Sequence, residues 1–78
     1  MRPEDVFHYT RAEPFRPFRI VMTSGKTYEV FHPEMVRVAR TAVYVFFAAR
    51  PEDPVERFDS VSLVLIERIE HIEVAQSV

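Results

Sequence analysis

Phe18, Ile20 and Met22 alternate with Arg19, Val21 and Thr23, a period-two pattern that predicts a β-strand with one covered face. The alternation stops at "TSGK", where Gly25 is the only glycine of the chain, and the break predicts a hairpin in which Gly25 takes a positive φ. Beyond the turn, Tyr28, Val30 and His32 fall on one face and Thr27, Glu29 and Phe31 on the other. Proline cannot donate to a ladder, so His32-Pro33 predicts a bend, a bulge or an edge. Pairing resumes near Met35, where Val36 and Val38 alternate with Arg37 and Ala39, and "RTA" reads as a turn. The most strand-like segment follows, "VYVFFAA" over residues 43–49. "RPEDP" reads as a loop, and residues 55–61 and 68–74 as two further strands. Between them, Leu65, Ile69 and Ile72 also fit helical spacing behind a Ser62 cap, and the preferred reading is one helical turn at "SLVLI" followed by a strand.

Ahead of the strands, Pro3 to about Ala12 predicts a short helix. Pro3 suits a first helical position, Glu4 and Asp5 suit the positive end of the helix dipole, and Val6, Tyr9 and Thr10 share a face. Pro14 ends it. The whole pattern predicts a mainly β protein in one domain, residues 1–78, with a helix within 1–13 and a small, strongly bent, five-stranded antiparallel barrel over 15–74.

Length and composition sharpen this reading. A chain of 78 residues buries about 60–65% of its unfolded surface, a thin margin that small domains supplement with disulfides, a structural metal or oligomerisation. Cysteine is absent, which excludes disulfides and thiolate zinc sites, and three scattered histidines make a weak metal site. Oligomerisation is the supplement left. With 47% hydrophobic and 28% charged residues the chain is too apolar for disorder. The start "MRPEDVFHY" has no apolar signal core and no apolar run approaches the length of a membrane span, so a soluble, cytoplasmic protein without a membrane partner is expected.

The net charge of −2 hides an asymmetry: residues 11–50 carry seven cations against three carboxylates, and residues 51–78 carry two arginines against seven. Such a division suits an anionic partner at the basic half, complementary contact between subunits, or simply solvated charges on a folded surface.

The candidate chemistry is sparse. The doubled "PFRPFR" of residues 14–19 could stack bases on Phe15 and Phe18 with Arg16 and Arg19 along phosphates, but the same phase lets both rings enter the core, and an acidic pI near 5.9 disfavours nucleic acid. Core entry is the expected role. The pairs His32/Glu34 and His71/Glu73 would each face one way along a strand and could bind zinc or exchange protons if the pairs met. One glycine is too few for a phosphate-cradling loop, and no nucleophile, base and orienting acid are spaced to act together. No enzyme activity and no cofactor are expected.

Residues 43–49 are the most informative. Val43, Val45 and Phe47 would fill the core, which leaves Tyr44, Phe46 and Ala48 outside on a strand whose outer face should be polar. Something covers that face, either the N-terminal helix with Val6 and Phe7 or a second subunit. The second subunit is the expectation, with Phe31, Tyr44, Phe46 and Ile69 as the oligomer-interface candidates.

The segments "RPFRI", "SGKTYEV", "HPEMV", "VSL" and "IERIE" resemble a family of short bacterial proteins of uncharacterised activity that read approximately Pro-Phe-x-Pro-Phe-Arg-Ile, Asp-Gly-Arg-x-Tyr and His-Pro-Glu. More distantly, the order of elements is similar to that of Sm-like proteins, with "VSLVLIERI" where those proteins carry their second signature, and the barrel expected is of Sm-like or SH3-like type. The resemblance implies a fold and edge-to-edge assembly. It carries no RNA-gripping residue across: Ser62 and Leu63 stand where the bacterial Sm-like RNA chaperones hold a Lys-His pair, and "VARTAV" replaces the expected Asp and Asn or Gly residues. The expected function is a non-catalytic, self-associating interaction module. The alternatives are an Sm-like RNA-binding ring using Arg37 and Arg40, and a small metal-binding or hydrolytic protein using His32 and Glu34.

Overall fold

The computed structural model describes residues 1–47 and 57–73. A helix, α1 (Pro3–Thr10), is followed by β1 (Phe18–Met22), β2 (Thr27–Val30), β3 (Val36–Val38), β4 (Ala42–Phe47), β5 (Arg57–Ser62) and β6 (Ile66–His71), with single 3-10 turns at Pro33–Met35 and Leu63–Leu65. The protein is therefore mainly β with one N-terminal helix. The strands form two antiparallel three-stranded sheets, in the orders β2-β1-β6 and β3-β4-β5.

Local chemistry accounts for each boundary. Pro3 opens α1, and the Asp5 carboxylate accepts the Arg2 backbone N–H at 3.1 Å, satisfying a donor that the helix leaves open. The helix ends at Thr10, short of the expected Ala12, where the Thr10 hydroxyl and the Arg11 N–H both donate to the Phe7 carbonyl. In the β1–β2 hairpin Gly25 has φ +93° and donates to the Met22 carbonyl, as the lone glycine predicts. The helical turn expected at "SLVLI" is the 3-10 turn Leu63–Leu65, and the strand after it is β6.

The break expected at His32-Pro33 takes the form of a 3-10 turn at Pro33–Met35, so β2 stops at Val30, β3 begins at Val36, and His32 is exposed at the turn rather than in line with Tyr28 and Val30. The result is six strands, and among the described residues no ladder joins the two sheets into a closed five-stranded barrel. The ends expected for the fourth, fifth and last strands, at residues 48–49, 55–56 and 74, and the "RPEDP" loop lie outside the described residues.

The core sits between the sheets and under α1. Phe18, Ile20, Val30, Val43 and Val45 have no exposed surface, nor does Val6 of the helix, and Val61 and Leu63 are nearly as covered. Burial of each large aliphatic or aromatic side chain stabilises the fold by about 1.5–3 kcal/mol. Phe15 packs against this cluster with its ring 6.0 Å from that of Phe18, so both rings of the doubled tripeptide enter the core and are not set out for stacking. Phe47, expected in the core, is 38% exposed, because β4 runs past the core to the rim, where its cross-strand neighbour is Arg57. No helix among the described residues is long and apolar enough to cross a membrane.

Candidate functional site

The outer faces of the two sheets differ in kind. On the first, Arg19 of β1 lies directly opposite Glu29 of β2 and Glu70 of β6, and its guanidinium donates to both carboxylates at 2.9 Å. Arg68 extends the network to Glu70 and Glu67. The carboxylates hold Arg19 above its ordinary pKa, through the hydrogen bond to Glu29 first and to Glu70 second; the hydrogen bonds from Arg19 and then Arg68 hold Glu70 below the usual carboxylate range. This face is a charged ladder suited to water.

The outer face of the second sheet is aromatic. Alternation along β4 turns Val43 and Val45 inward and Tyr44 and Phe46 outward, and the β4–β5 register sets Phe58 opposite Phe46 and Ser60 opposite Tyr44. The Phe46 and Phe58 centroids are 5.3 Å apart, and Tyr44 meets Phe58 edge to face at 5.9 Å. On the other flank, the Arg37 guanidinium lies 5.9 Å from the Phe46 centroid and donates to the carbonyls of Glu34 and Val36. Neighbours thus leave Phe46 and Tyr44 half-buried, while Phe58 remains 54% exposed. The described part of this face holds no carboxylate and no imidazole, so it offers rings, hydroxyls and one guanidinium. It can pack and stack; it has no acid–base pair.

The sequence-predicted interface residues separate into three places. Tyr44 and Phe46 share the aromatic face. Phe31 is exposed on another side, in a cleft of about 460 Å³ with Met35, Phe47 and Asp59, and Ile69 faces inward, half-buried against the core. In that cleft the Tyr28 hydroxyl donates to Asp59 at 3.1 Å and the Lys26 ammonium to the same carboxylate at 3.4 Å, tying the first sheet to the second. Tyr28 and Asp59 together hold Lys26 above its ordinary pKa. Phe58, the most exposed ring of the aromatic face, is the residue that sequence reasoning missed; its signal was the alternation Phe58, Ser60, Ser62, in which the lone ring is the odd member.

The remaining candidates do not converge. Arg37 is engaged with backbone carbonyls, and Arg40 is exposed at the β3–β4 turn. His32 and Glu34 are exposed around the Pro33 turn, whereas His71 lies on β6 with its ring 5.3 Å from that of Tyr9 and Nδ1 3.4 Å from the Pro17 carbonyl oxygen. Among the described residues no three His, Asp or Glu side chains are grouped to hold a metal ion. Comparison with protein-family models, with curated proteins and with solved structures finds no match to this chain.

Proposed function

We propose that this protein is a non-catalytic interaction module that associates with copies of itself through the outer face of β3-β4-β5. The observation that carries the reading is the Tyr44–Phe46–Phe58 cluster on the water side of an antiparallel sheet, where alternation should present polar residues. The charged ladder of the first sheet supports it by contrast, since there the same chain sets paired charges on the outward side of its strands. Face-to-face packing of two copies would bury the three rings in a layer of ordinary inter-sheet thickness and would supplement a core that is small for a free-standing domain. The two sheets, linked by turns at Pro33–Met35 and Leu63–Leu65, are read as the halves of a small open barrel of Sm-like or SH3-like type.

Sedimentation equilibrium over a wide concentration range, with the ratio of absorbance at 260 and 280 nm, tests this. A nucleic-acid-free particle of at least two chains is expected, and a monomer at every concentration would overturn the reading. The RNA-ring alternative has less support, because the Arg37 guanidinium is spent on backbone carbonyls, the Phe18 ring is fully covered and the Phe15 ring is half-buried against the core.

A further inference from the structure

We propose that the groove between α1 and β3 is a second binding site, which takes an extended acidic peptide of another protein as an added strand on β3. The groove has a volume of about 630 Å³ and is lined by Pro3, Phe7 and Thr10 of the helix and by Val38, Ala39 and Arg40 along the strand and its turn. Its floor is largely apolar, with Phe7 41% exposed.

The strand edge in this groove is open at one residue. The Ala39 N–H donates to the Ala42 carbonyl, which makes Ala39 and Ala42 a hydrogen-bonded pair; alternation then makes Arg37 and Tyr44 the next such pair and points the backbone groups of Val36 and Val38 away from β4. Val36 is satisfied within the chain: its N–H donates to the Pro33 carbonyl and its carbonyl accepts from the Arg37 guanidinium. Among the described residues the Val38 N–H and C=O have no partner, and alternation turns them to the outer edge of β3, where Val38 lines the groove; a residue of an extended ligand matches such a pair by exchanging two hydrogen bonds.

Charge decides the chemistry of that ligand. Arg37 and Arg40 line the groove, Arg11 lines an adjoining depression that shares Phe7 and Glu4 with it, and none of the three pairs with a carboxylate among the described residues. The Arg11 guanidinium instead lies 4.7 Å from the centroid of the exposed Phe7 ring. The one carboxylate in the lining, Glu4, is opposed by Arg2 at 3.6 Å. A cationic rim over an apolar floor fits a strand that alternates carboxylate and aliphatic side chains, one set toward the arginines and the other toward Phe7. A polynucleotide backbone matches this edge less well, because its phosphates only accept and its one donor, the ribose 2′-hydroxyl, lacks the paired N–H and C=O spacing of a peptide residue. This site shares Arg37 with the aromatic face but opens between α1 and β3, and it stands whether or not the chain self-associates.

Fluorescence anisotropy with a labelled, end-blocked hexapeptide of alternating glutamate and valine tests the proposal. The wild-type protein should bind this probe and not its lysine–valine counterpart, and Arg40→Glu, at an exposed turn position, should weaken binding by about tenfold with an unchanged circular dichroism spectrum. N-methylation of the probe along one strand edge should abolish binding without touching the protein. Equal binding of the lysine probe, indifference to N-methylation, or an unchanged affinity for Arg40→Glu would overturn the proposal. So would tighter binding of an oligouridylate of the same charge, which would assign the groove to RNA.

Discussion

Phe46 of β4 and Phe58 of β5 stand directly opposite each other on the outer face of the second sheet, with ring centroids 5.3 Å apart. Each ring covers part of the other, Arg37 covers part of Phe46, and Phe58 remains 54% exposed. Replacing both by serine should therefore separate assembly from folding. The double variant Phe46→Ser/Phe58→Ser is expected to sediment as a monomer and to lose about 1–2 kcal/mol of stability, the worth of one cross-strand aromatic pair and some half-buried area. Sedimentation and urea unfolding on the same preparation read the two effects apart; an unchanged particle mass would place the association elsewhere.

Phe18 behaves in the opposite way, because it has no exposed surface and touches both the helix, through Tyr9, and the Pro14–Pro17 segment, through Phe15. Phe18→Ala should cost about 3–5 kcal/mol. A domain of this size has about 4–12 kcal/mol to lose, so the variant is expected to be partly unfolded at room temperature, seen as a lowered urea midpoint and a weakened near-ultraviolet signal.

Gly25 isolates a backbone effect. A Cβ built there meets nothing within 4 Å, yet φ is +93°, a conformation that side chains disfavour. Gly25→Ala should lose about 1 kcal/mol in thermal or urea unfolding, and Gly25→Asn less, because asparagine tolerates positive φ better. Equal stability of all three proteins would mean that the turn relaxes to another type.

The Arg19–Glu70 pair sets a pH dependence. Glu70 has a folded pKa below its ordinary value near 4.5, so its contribution is fully present above that value and is lost as the pH falls through the lower folded pKa. Urea midpoints measured from about pH 5 down to about pH 3 should fall for the wild type, and Glu70→Gln should flatten that decline. The difference should be small and should shrink in high salt, since both side chains are partly exposed.

Much of this architecture was legible because short-range rules governed it. Alternation placed Phe18, Ile20 and Met22 inside, the single glycine marked the hairpin, and "SLVLI" marked the turn between β5 and β6. Alternation states which side of a strand a residue takes, though, and not how far the core extends, which is why Phe47 turned out to lie at the rim. It is also silent on register between strands. That Phe58 faces Phe46, and that Arg19 finds Glu29 on one side and Glu70 on the other, are long-range matches with no local signature. Hydrophobicity alone groups Phe31 and Ile69 with Tyr44 and Phe46, and the Pro33 turn and the inward side of β6 send them elsewhere. The helix–strand groove was invisible for the same reason, since it exists only where α1 and β3 come together.

The middle strand of the first sheet takes one partner from close by in the sequence and one from far away: β2, a few residues downstream, and β6, whose His71 pairs with Phe18. During synthesis, at about 5–20 residues per second, the β1–β2 hairpin leaves the ribosome seconds before its third strand. Its Phe18–Ile20–Met22 side stays bare for that interval, so the first sheet closes only after nearly the whole described chain has been made.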